Sequence, residues 1–139
     1  DVLEIDRHHQ KNNTPATPPI ALMYAANRQL DDILAEGLDN RFARHQQMQQ
    51  MTHEWVQSAG FELFSEAGYH SVTVSNVRNT RGIDVAALNN FLKGRGMMIS
   101  NGYGKLKGQA FRIAHMGDTQ PEDLQELFAA MDDFLAQEG

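Results

Sequence analysis

The spacing of apolar residues changes at Gly60, and this change constrains the fold more than any other feature of the chain. Before Gly60, apolar side chains recur at helical spacing along two long segments, as in amphipathic helices. After Gly60, short stretches alternate apolar and polar residues between glycine-rich connections, a pattern typical of β-strands. A helical first half followed by a strand-rich second half predicts an α+β fold with a small sheet.

Two long helices are predicted in the first half, at residues 18–36 and 38–59, with a break or kink at Gly37. Thr17 followed by Pro18 favours a helix start, because a hydroxyl can cap the first turn and proline suits the first helical position. The two long helices are expected to pack as a bent pair on the sheet.

Four short strands and two further helices are predicted in the second half. Asp84 caps one of these helices, and Thr119 begins the last one with Glu122 in a capping box. The predicted strands are 61–64, 72–77, 97–99 and 111–115, and the predicted helices are 85–93 and the segment after Thr119. Strands 97–99 and 111–115 form an antiparallel hairpin. The predicted architecture is therefore a two-layer sandwich, a small and mostly antiparallel sheet with helices on one face.

Composition narrows the classes of protein to which the chain can belong. It has 139 residues, of which 41% are hydrophobic, and this suits a single domain with a real core. A net charge of −6 without a basic block argues against nucleic acid as a partner. No apolar run is long enough to span a bilayer, so no membrane partner is expected. The absence of cysteine excludes disulfides and thiolate metal sites, and we expect a cytoplasmic protein.

Residues 1–13 are polar and show no apolar period, so they are predicted to be a linker or a loose lead-in. The chain does not begin with methionine. We therefore expect it to be either a processed protein or a piece of a longer one.

Arg112 is the one charged residue whose orientation the strand alternation predicts. The strand 111–115 places Phe111, Ile113 and His115 on one side and Arg112 on the other. An arginine held in an apolar strand needs an anionic partner, because burying an unpaired charge is costly. Two interpretations remain open at this point, an internal salt bridge to one of the 18 acidic residues or the binding of an anionic ligand.

Catalytic and metal-binding motifs are not predicted. His53 and Glu54 begin the zinc-protease pattern, but Gln57 stands where the second histidine is required. The glycine-rich segment 102–108 lacks the Lys-Ser/Thr pair of a phosphate-binding loop and is interpreted as a hairpin connection. No Ser-His-Asp or Cys-His arrangement can be placed, so no catalytic residue and no metal ligand is assigned.

Several segments occur together in an order and spacing that one family shares: 14–20, 36–38, 44–45 and 108–117. Together they resemble the C-terminal part of the class V aminotransferases, in particular the alanine–glyoxylate and serine–glyoxylate (serine–pyruvate) enzymes. The resemblance covers residues 14–139. It implies that 14–139 form the small C-terminal domain and that 1–13 are a lead-in from a missing N-terminal domain.

The resemblance also implies a fold, a cofactor and two site residues. Members of this family are similar in fold to aspartate aminotransferase, the fold type I architecture, and act as homodimers with pyridoxal 5′-phosphate. By resemblance, Arg112 matches the arginine that binds the α-carboxylate of the substrate. Thr17 matches a threonine that contacts the cofactor phosphate of the neighbouring subunit. Two positions depart from the family pattern, with Thr14 in place of a frequent tyrosine and Ala114 in place of a frequent glycine.

The family's Schiff-base lysine and the residues that hold the pyridine ring lie upstream, in the large domain. The lysines of this chain stand in linker, helix-end or loop contexts: Lys11, Lys93, Lys105 and Lys107. The resemblance therefore implies that this chain alone is inactive and that its own N-terminal large domain is its partner. The parent would move an amino group between alanine or serine and a 2-oxo acid such as glyoxylate or pyruvate. The alternative is a non-catalytic α+β module for binding or dimerisation.

Overall fold

The computed structural model describes residues 1–137, which contain five α-helices and four strands. The helices are α1 (Val2–His9), α2 (Ile20–Glu36), α3 (Leu38–Ser58), α4 (Val85–Lys93) and α5 (Pro121–Gln137). The strands are β1 (Glu62–Leu63), β2 (Val74–Arg78), β3 (Ser100–Asn101) and β4 (Ala110–Ala114). The chain divides into two compact units, Asp1–Leu38 and Asp39–Gly139. None of the described helices is long and apolar enough to cross a membrane.

The N-terminal segment contains a helix, Val2–His9, which the sequence pattern does not predict. The Asp1 carboxylate caps α1 by accepting the backbone N–H of Leu3 at 2.9 Å. Glu4 lies in the first turn and basic residues lie in the last turn, an arrangement that complements the helix dipole. None of the α1 residues is buried. The assignment of residues 1–13 as a lead-in from a further domain stays a prediction, since a lead-in can contain a helix.

The start of α2 also differs from the prediction, since Thr17 is not its cap. The helix begins at Ile20, the N-cap position is Pro19, and no described side chain caps it. A residue that precedes proline avoids the helical region, so Pro19 prevents the helix from starting at Pro18. The predicted break at Gly37 is confirmed, because this residue has a φ of 86° and ends the helix.

The four strands form one antiparallel sheet in the order β1-β2-β4-β3. The predicted α+β class and the hairpin of the last two strands are confirmed. The strand predicted at 97–99 is wrong by a few positions, because β3 is Ser100–Asn101. The reason is a side chain: Asn89 Oδ1 accepts the backbone N–H of Ile99 at 3.0 Å, and this donor is therefore not part of the sheet.

Helices cover one face of the sheet, as the pattern predicts, but the expected packing of α2 on the sheet is not observed, since none of its residues is buried. Val77, Phe111 and Ile113 lie on the buried face and belong to one hydrophobic core with residues of α3, α4 and α5. Trp55 of α3 stacks on Phe128 of α5 with ring centroids 5.0 Å apart. The opposite face of the sheet is open at β4, and it carries the candidate site.

The cap of α5 differs from the predicted pair of Thr119 and Glu122. The helix begins at Pro121, and the Asp123 carboxylate accepts the backbone N–H of Gln120 at 2.8 Å. Because proline favours the first helical position, Gln120 becomes the cap residue and the acid three positions later is Asp123. The apolar face is buried as predicted, with Leu124, Leu127, Phe128, Met131, Phe134 and Leu135 in the core.

Candidate functional site

Arg112 lies in the middle of β4, on the open face of the sheet. Its strand neighbours Phe111 and Ile113 are both 0% exposed on the opposite face, and they fix the direction in which its side chain leaves the strand. β4 is an inner strand, and the residues directly opposite Arg112 are Asn76 on β2 and Ser100 on β3. The predicted placement of this arginine in a short strand is confirmed.

The side chain of Arg112 forms no ion pair within residues 1–137. Its Nη2 donates to the backbone carbonyl of Asn101 at 3.4 Å. The interpretation of an internal salt bridge is therefore wrong for the described part of the chain. Arg112 is exposed, so its charge is hydrated and needs no internal counter-charge. A guanidinium carries more N–H donors than this contact uses, and the remainder can bind an anion.

Asn76 is the closest neighbour of Arg112 in the register of the sheet. Its backbone carbonyl accepts the N–H of Phe64 at 2.8 Å, so its backbone polar groups point away from β4. Asn76 and Arg112 therefore form a non-hydrogen-bonded pair, the type in which facing side chains lie closest. The sequence pattern alone assigns Asn76 no role, and the signal that marks it is a polar residue within an apolar alternation.

The Asn76 side chain carries a buried polar atom that has no partner within residues 1–137. Its Oδ1 accepts no hydrogen bond from any residue of the described chain. Most buried polar atoms in proteins are hydrogen-bonded, and an exception beside an exposed arginine calls for an explanation.

The hairpin that joins β3 to β4 folds back on itself and holds Asn101 in place. The Asn101 Oδ1 accepts the backbone N–H groups of Gly102 at 2.8 Å and of Gly108 at 2.9 Å. A Cβ at Gly102 would lie 2.0 Å from the carbonyl oxygen of Leu106, so only glycine fits. The interpretation of 102–108 as a hairpin connection is confirmed, and the glycine permits a close approach of the chain's own backbone.

Helix α3 holds the turn that follows β4. Arg41 forms an ion pair with Asp118 at 3.1 Å. Arg44 donates to the backbone carbonyl of Thr119 and to that of Gly117, the latter at 3.2 Å. Both ends of β4 are thus fixed, one by the hairpin and the other by α3, and the strand is a rigid support for its exposed side chains.

His115 lies on the buried face just beyond β4, as the alternation predicts. It is 0% exposed, and its Nε2 lies 3.0 Å from the Ser75 Oγ. Burial lowers the pKa of His115 to about 4, so the ring is neutral near pH 7. Burial, and then His70, whose ring lies 4.9 Å away, lower the pKa of His53. Within the described residues, His, Asp and Glu form no group of three that could hold a metal ion.

Thr17 lies in the first compact unit, in the segment just before α2, and it is exposed. An exposed hydroxyl is a hydrogen-bond donor that fits a phosphate oxygen. Pro18 and Pro19 have no backbone N–H, so the backbone adds little to such a site. Arg112 lies in the second unit. The four lysines are all exposed, with Lys93 at the end of α4 and the others outside the α-helices and strands.

Known proteins resemble this chain in sequence over most of its length, although no family model matches it. An uncharacterised aminotransferase of Methanocaldococcus jannaschii is 34% identical over 119 residues, which are 84% of this chain and 31% of that protein. The small subunit of a soluble hydrogenase of Synechococcus sp. is 31% identical over 93% of this chain and 34% of its own length. The L-aspartate–glyoxylate aminotransferase of Paracoccus denitrificans is 32% identical over 84% of this chain and 30% of its own length.

The fold also resembles that of known aminotransferases. The crystal structure of an alanine–glyoxylate aminotransferase from Nostoc sp. superposes with a TM-score of 0.78 at 30% identity, and the match covers 86% of this chain and 32% of that one. The architecture is that of the small domain of an aminotransferase. The chain belongs to the class V aminotransferase family, and it corresponds to the C-terminal part of its members. It spans about a third of the length of the curated relatives that it matches.

Proposed function

We propose that this chain is the small domain of a pyridoxal-phosphate-dependent transaminase and that Arg112 binds the α-carboxylate of the amino-acid or 2-oxo-acid substrate. One observation carries the proposal: Arg112 is exposed on an inner strand fixed at both ends, and no described residue neutralises it. The planar guanidinium can donate two parallel hydrogen bonds to a carboxylate, which sets both the position and the orientation of the substrate.

Pyridoxal phosphate, when bound, supplies the carbonyl chemistry that accepts and returns the amino group. In this chain, Thr17 would donate its hydroxyl to the cofactor phosphate of the neighbouring subunit in a homodimer. The support is the exposure of Thr17 before α2 and the resemblance of its segment to the family. The lysine that the family links to the cofactor would belong to the large domain, which makes that domain the partner of this chain.

The proposed reaction moves an amino group between alanine or serine and a 2-oxo acid such as glyoxylate or pyruvate. Glyoxylate appears in the names of the Paracoccus and Nostoc relatives, whereas the amino donor in those names is aspartate in one and alanine in the other. The names therefore support glyoxylate as the amino acceptor more strongly than they support alanine or serine as the amino donor. The cytoplasmic location expected from the composition remains a prediction.

The decisive experiment replaces Arg112 with lysine in the full-length parent. We expect kcat/KM for L-alanine with glyoxylate to fall by about tenfold to a hundredfold, because lysine cannot reproduce the two-pronged contact. For ethylamine, which is alanine without its carboxylate, kcat/KM should not change. The Tm of the variant should also equal that of the unchanged enzyme. A matched control is Arg95→Lys, since Arg95 is a partly exposed arginine paired with Asp133 at 3.3 Å.

An equal loss of kcat/KM for both donors, with a large fall in Tm, would remove Arg112 from the site and favour the alternative of a non-catalytic module. The Thr17 assignment has its own measurement, the apparent Kd for pyridoxal phosphate titrated into the apoenzyme. Thr17→Ala should weaken this binding, whereas Thr14→Ala, which changes another exposed threonine, should leave it unchanged.

A further inference from the structure

The Asn76 side chain is polar and lies beside Arg112, and its oxygen has no partner among the described residues. This Oδ1 is buried and accepts no hydrogen bond from residues 1–137. The register of the sheet sets residue Asn76 directly opposite Arg112 in a pair of the closer type. On the other side of Arg112, the contact to the Asn101 carbonyl is 3.4 Å long, too long to hold the guanidinium in one orientation.

We infer that Asn76 is a positioning residue for Arg112. When a substrate carboxylate is bound, the Asn76 Oδ1 accepts one guanidinium N–H and thereby fixes the plane of the Arg112 guanidinium. The inference rests on the proposed function of Arg112 as the carboxylate-binding residue. Once one N–H donates to Asn76, a further pair of N–H groups on the same guanidinium can still face the carboxylate. The otherwise unexplained buried oxygen then has a donor.

The neutrality of Asn76 is essential to this role. A neutral acceptor orients the guanidinium and leaves its positive charge available to the substrate. A carboxylate at the same position would form an internal ion pair with Arg112 and compete with the incoming anion. Substitutions of Asn76 can therefore test two effects separately, the orientation of the Arg112 guanidinium and the availability of its positive charge.

The test uses the full-length parent with glyoxylate as acceptor and with L-alanine or ethylamine as donor. Asn76→Leu keeps the approximate shape and removes the acceptor, and it should lower kcat/KM for L-alanine by about three- to tenfold without affecting ethylamine. Asn76→Asp should raise KM for L-alanine by about tenfold or more, with ethylamine again unaffected. Ser100→Ala, which alters the opposite neighbour of Arg112, is the control and should change neither donor.

Thermal stability separates positioning from a merely structural role. Because Asn76→Leu deletes a buried atom that no described residue partners, the Tm should stay the same or rise. A fall in Tm with equal losses for both donors would overturn the inference, and so would Asn76 variants that leave the preference for L-alanine over ethylamine unchanged.

A double variant distinguishes failure of this inference from failure of the proposed function. If Asn76 acts through Arg112, the combined effect of Asn76→Leu and Arg112→Lys should be smaller than the product of the separate effects. If Arg112→Lys is selective for L-alanine and Asn76→Leu is silent, only the role of Asn76 fails. If Arg112→Lys shows no selectivity, the proposed function fails with it.

Discussion

Ser75 and His115 are joined across the two inner strands by a hydrogen bond of 3.0 Å inside the core. Ser75 is 2% exposed and His115 is 0% exposed, so both polar groups are removed from water. Buried polar groups are tolerated where they bond to each other, and here the bond lies on the face opposite Arg112. Because burial lowers the pKa of His115, its imidazole is neutral in the folded state near pH 7.

Stability should fall in mild acid because of His115. Burial lowers the pKa of this histidine from its ordinary value of 6.5 to about 4 in the folded chain, so between these values the unfolded state binds more protons. The contribution is complete above pH 6.5 and is lost as the pH falls towards 4. From pH 7 to pH 5 we expect the free energy of unfolding to fall by about 2 kcal/mol from this group.

The measurement for His115 is urea unfolding at the two pH values, followed by the fluorescence of the single tryptophan. His115→Gln removes the titrating ring and should flatten the difference between pH 7 and pH 5 by about the same amount. An unchanged pH dependence in this variant would contradict the assignment to His115. Because the pKa of His53 is also lowered, part of the slope should remain in the variant.

Trp55 should contribute a specific hydrogen bond to stability as well as apolar area. Its indole N–H donates to the Asp132 carboxylate at 2.9 Å and joins α3 to α5. Trp55→Phe keeps an aromatic ring next to Phe128 but deletes this donor, and it should cost about 2 kcal/mol. Asp132→Asn retains an acceptor and should cost less. A thermal melt followed by circular dichroism measures both variants, and equal losses would contradict the expectation that a neutral acceptor largely preserves this hydrogen bond.

Gly102 should tolerate no side chain. A Cβ there would lie 2.0 Å from the Leu106 carbonyl oxygen, so Gly102→Ala must displace the hairpin at a cost of about 3 kcal/mol. Gly94→Ala is the matched control, because its nearest neighbour would be 3.4 Å away and its φ is −62°. The control should change stability by less than about 0.5 kcal/mol. Similar losses in both variants would show that the close contact does not restrict this position.

The chain as it stands should form no covalent adduct with pyridoxal phosphate and should have no transaminase activity. All four of its lysines are exposed, whereas a lysine that forms a Schiff base has to be activated by its surroundings. Incubation with the cofactor, borohydride reduction and peptide mapping provide the measurement. A stoichiometric adduct on one specific lysine would contradict this prediction, whereas slow scattered labelling would not.

Local signals predict the elements that local interactions build. Asp84 is the predicted cap of a helix over 85–93, and its side chain accepts the N–H groups of Ala86 and Ala87 at the start of α4. The placement of Arg112 is predictable for the same reason, because strand alternation is a local pattern. The alternation also predicts that His115 shares the buried face with Ile113.

Features that depend on distant contacts are not predictable in this way. β3 is displaced because the side chain of Asn89, on the preceding helix, takes the N–H of Ile99. The alternation marks Asn76 only as part of a strand, because its position beside Arg112 is set by the pairing of strands far apart in the sequence. The roles proposed for Thr17 and Arg112 come from the family resemblance, since neither spacing nor charge separates a ligand contact from a cap or a salt bridge.

The separation of the two faces of the sheet has a consequence for how such a protein can evolve. Phe111 and Ile113 maintain the fold on one face, whereas Arg112 and Asn76 lie on the other and contribute little to the core. If Arg112 binds the substrate as proposed, substitutions on the open face should change recognition with little penalty in folding. Under the proposed function, lineages can explore new amino donors there while the same scaffold persists, and directed evolution of donor preference should begin with Asn76.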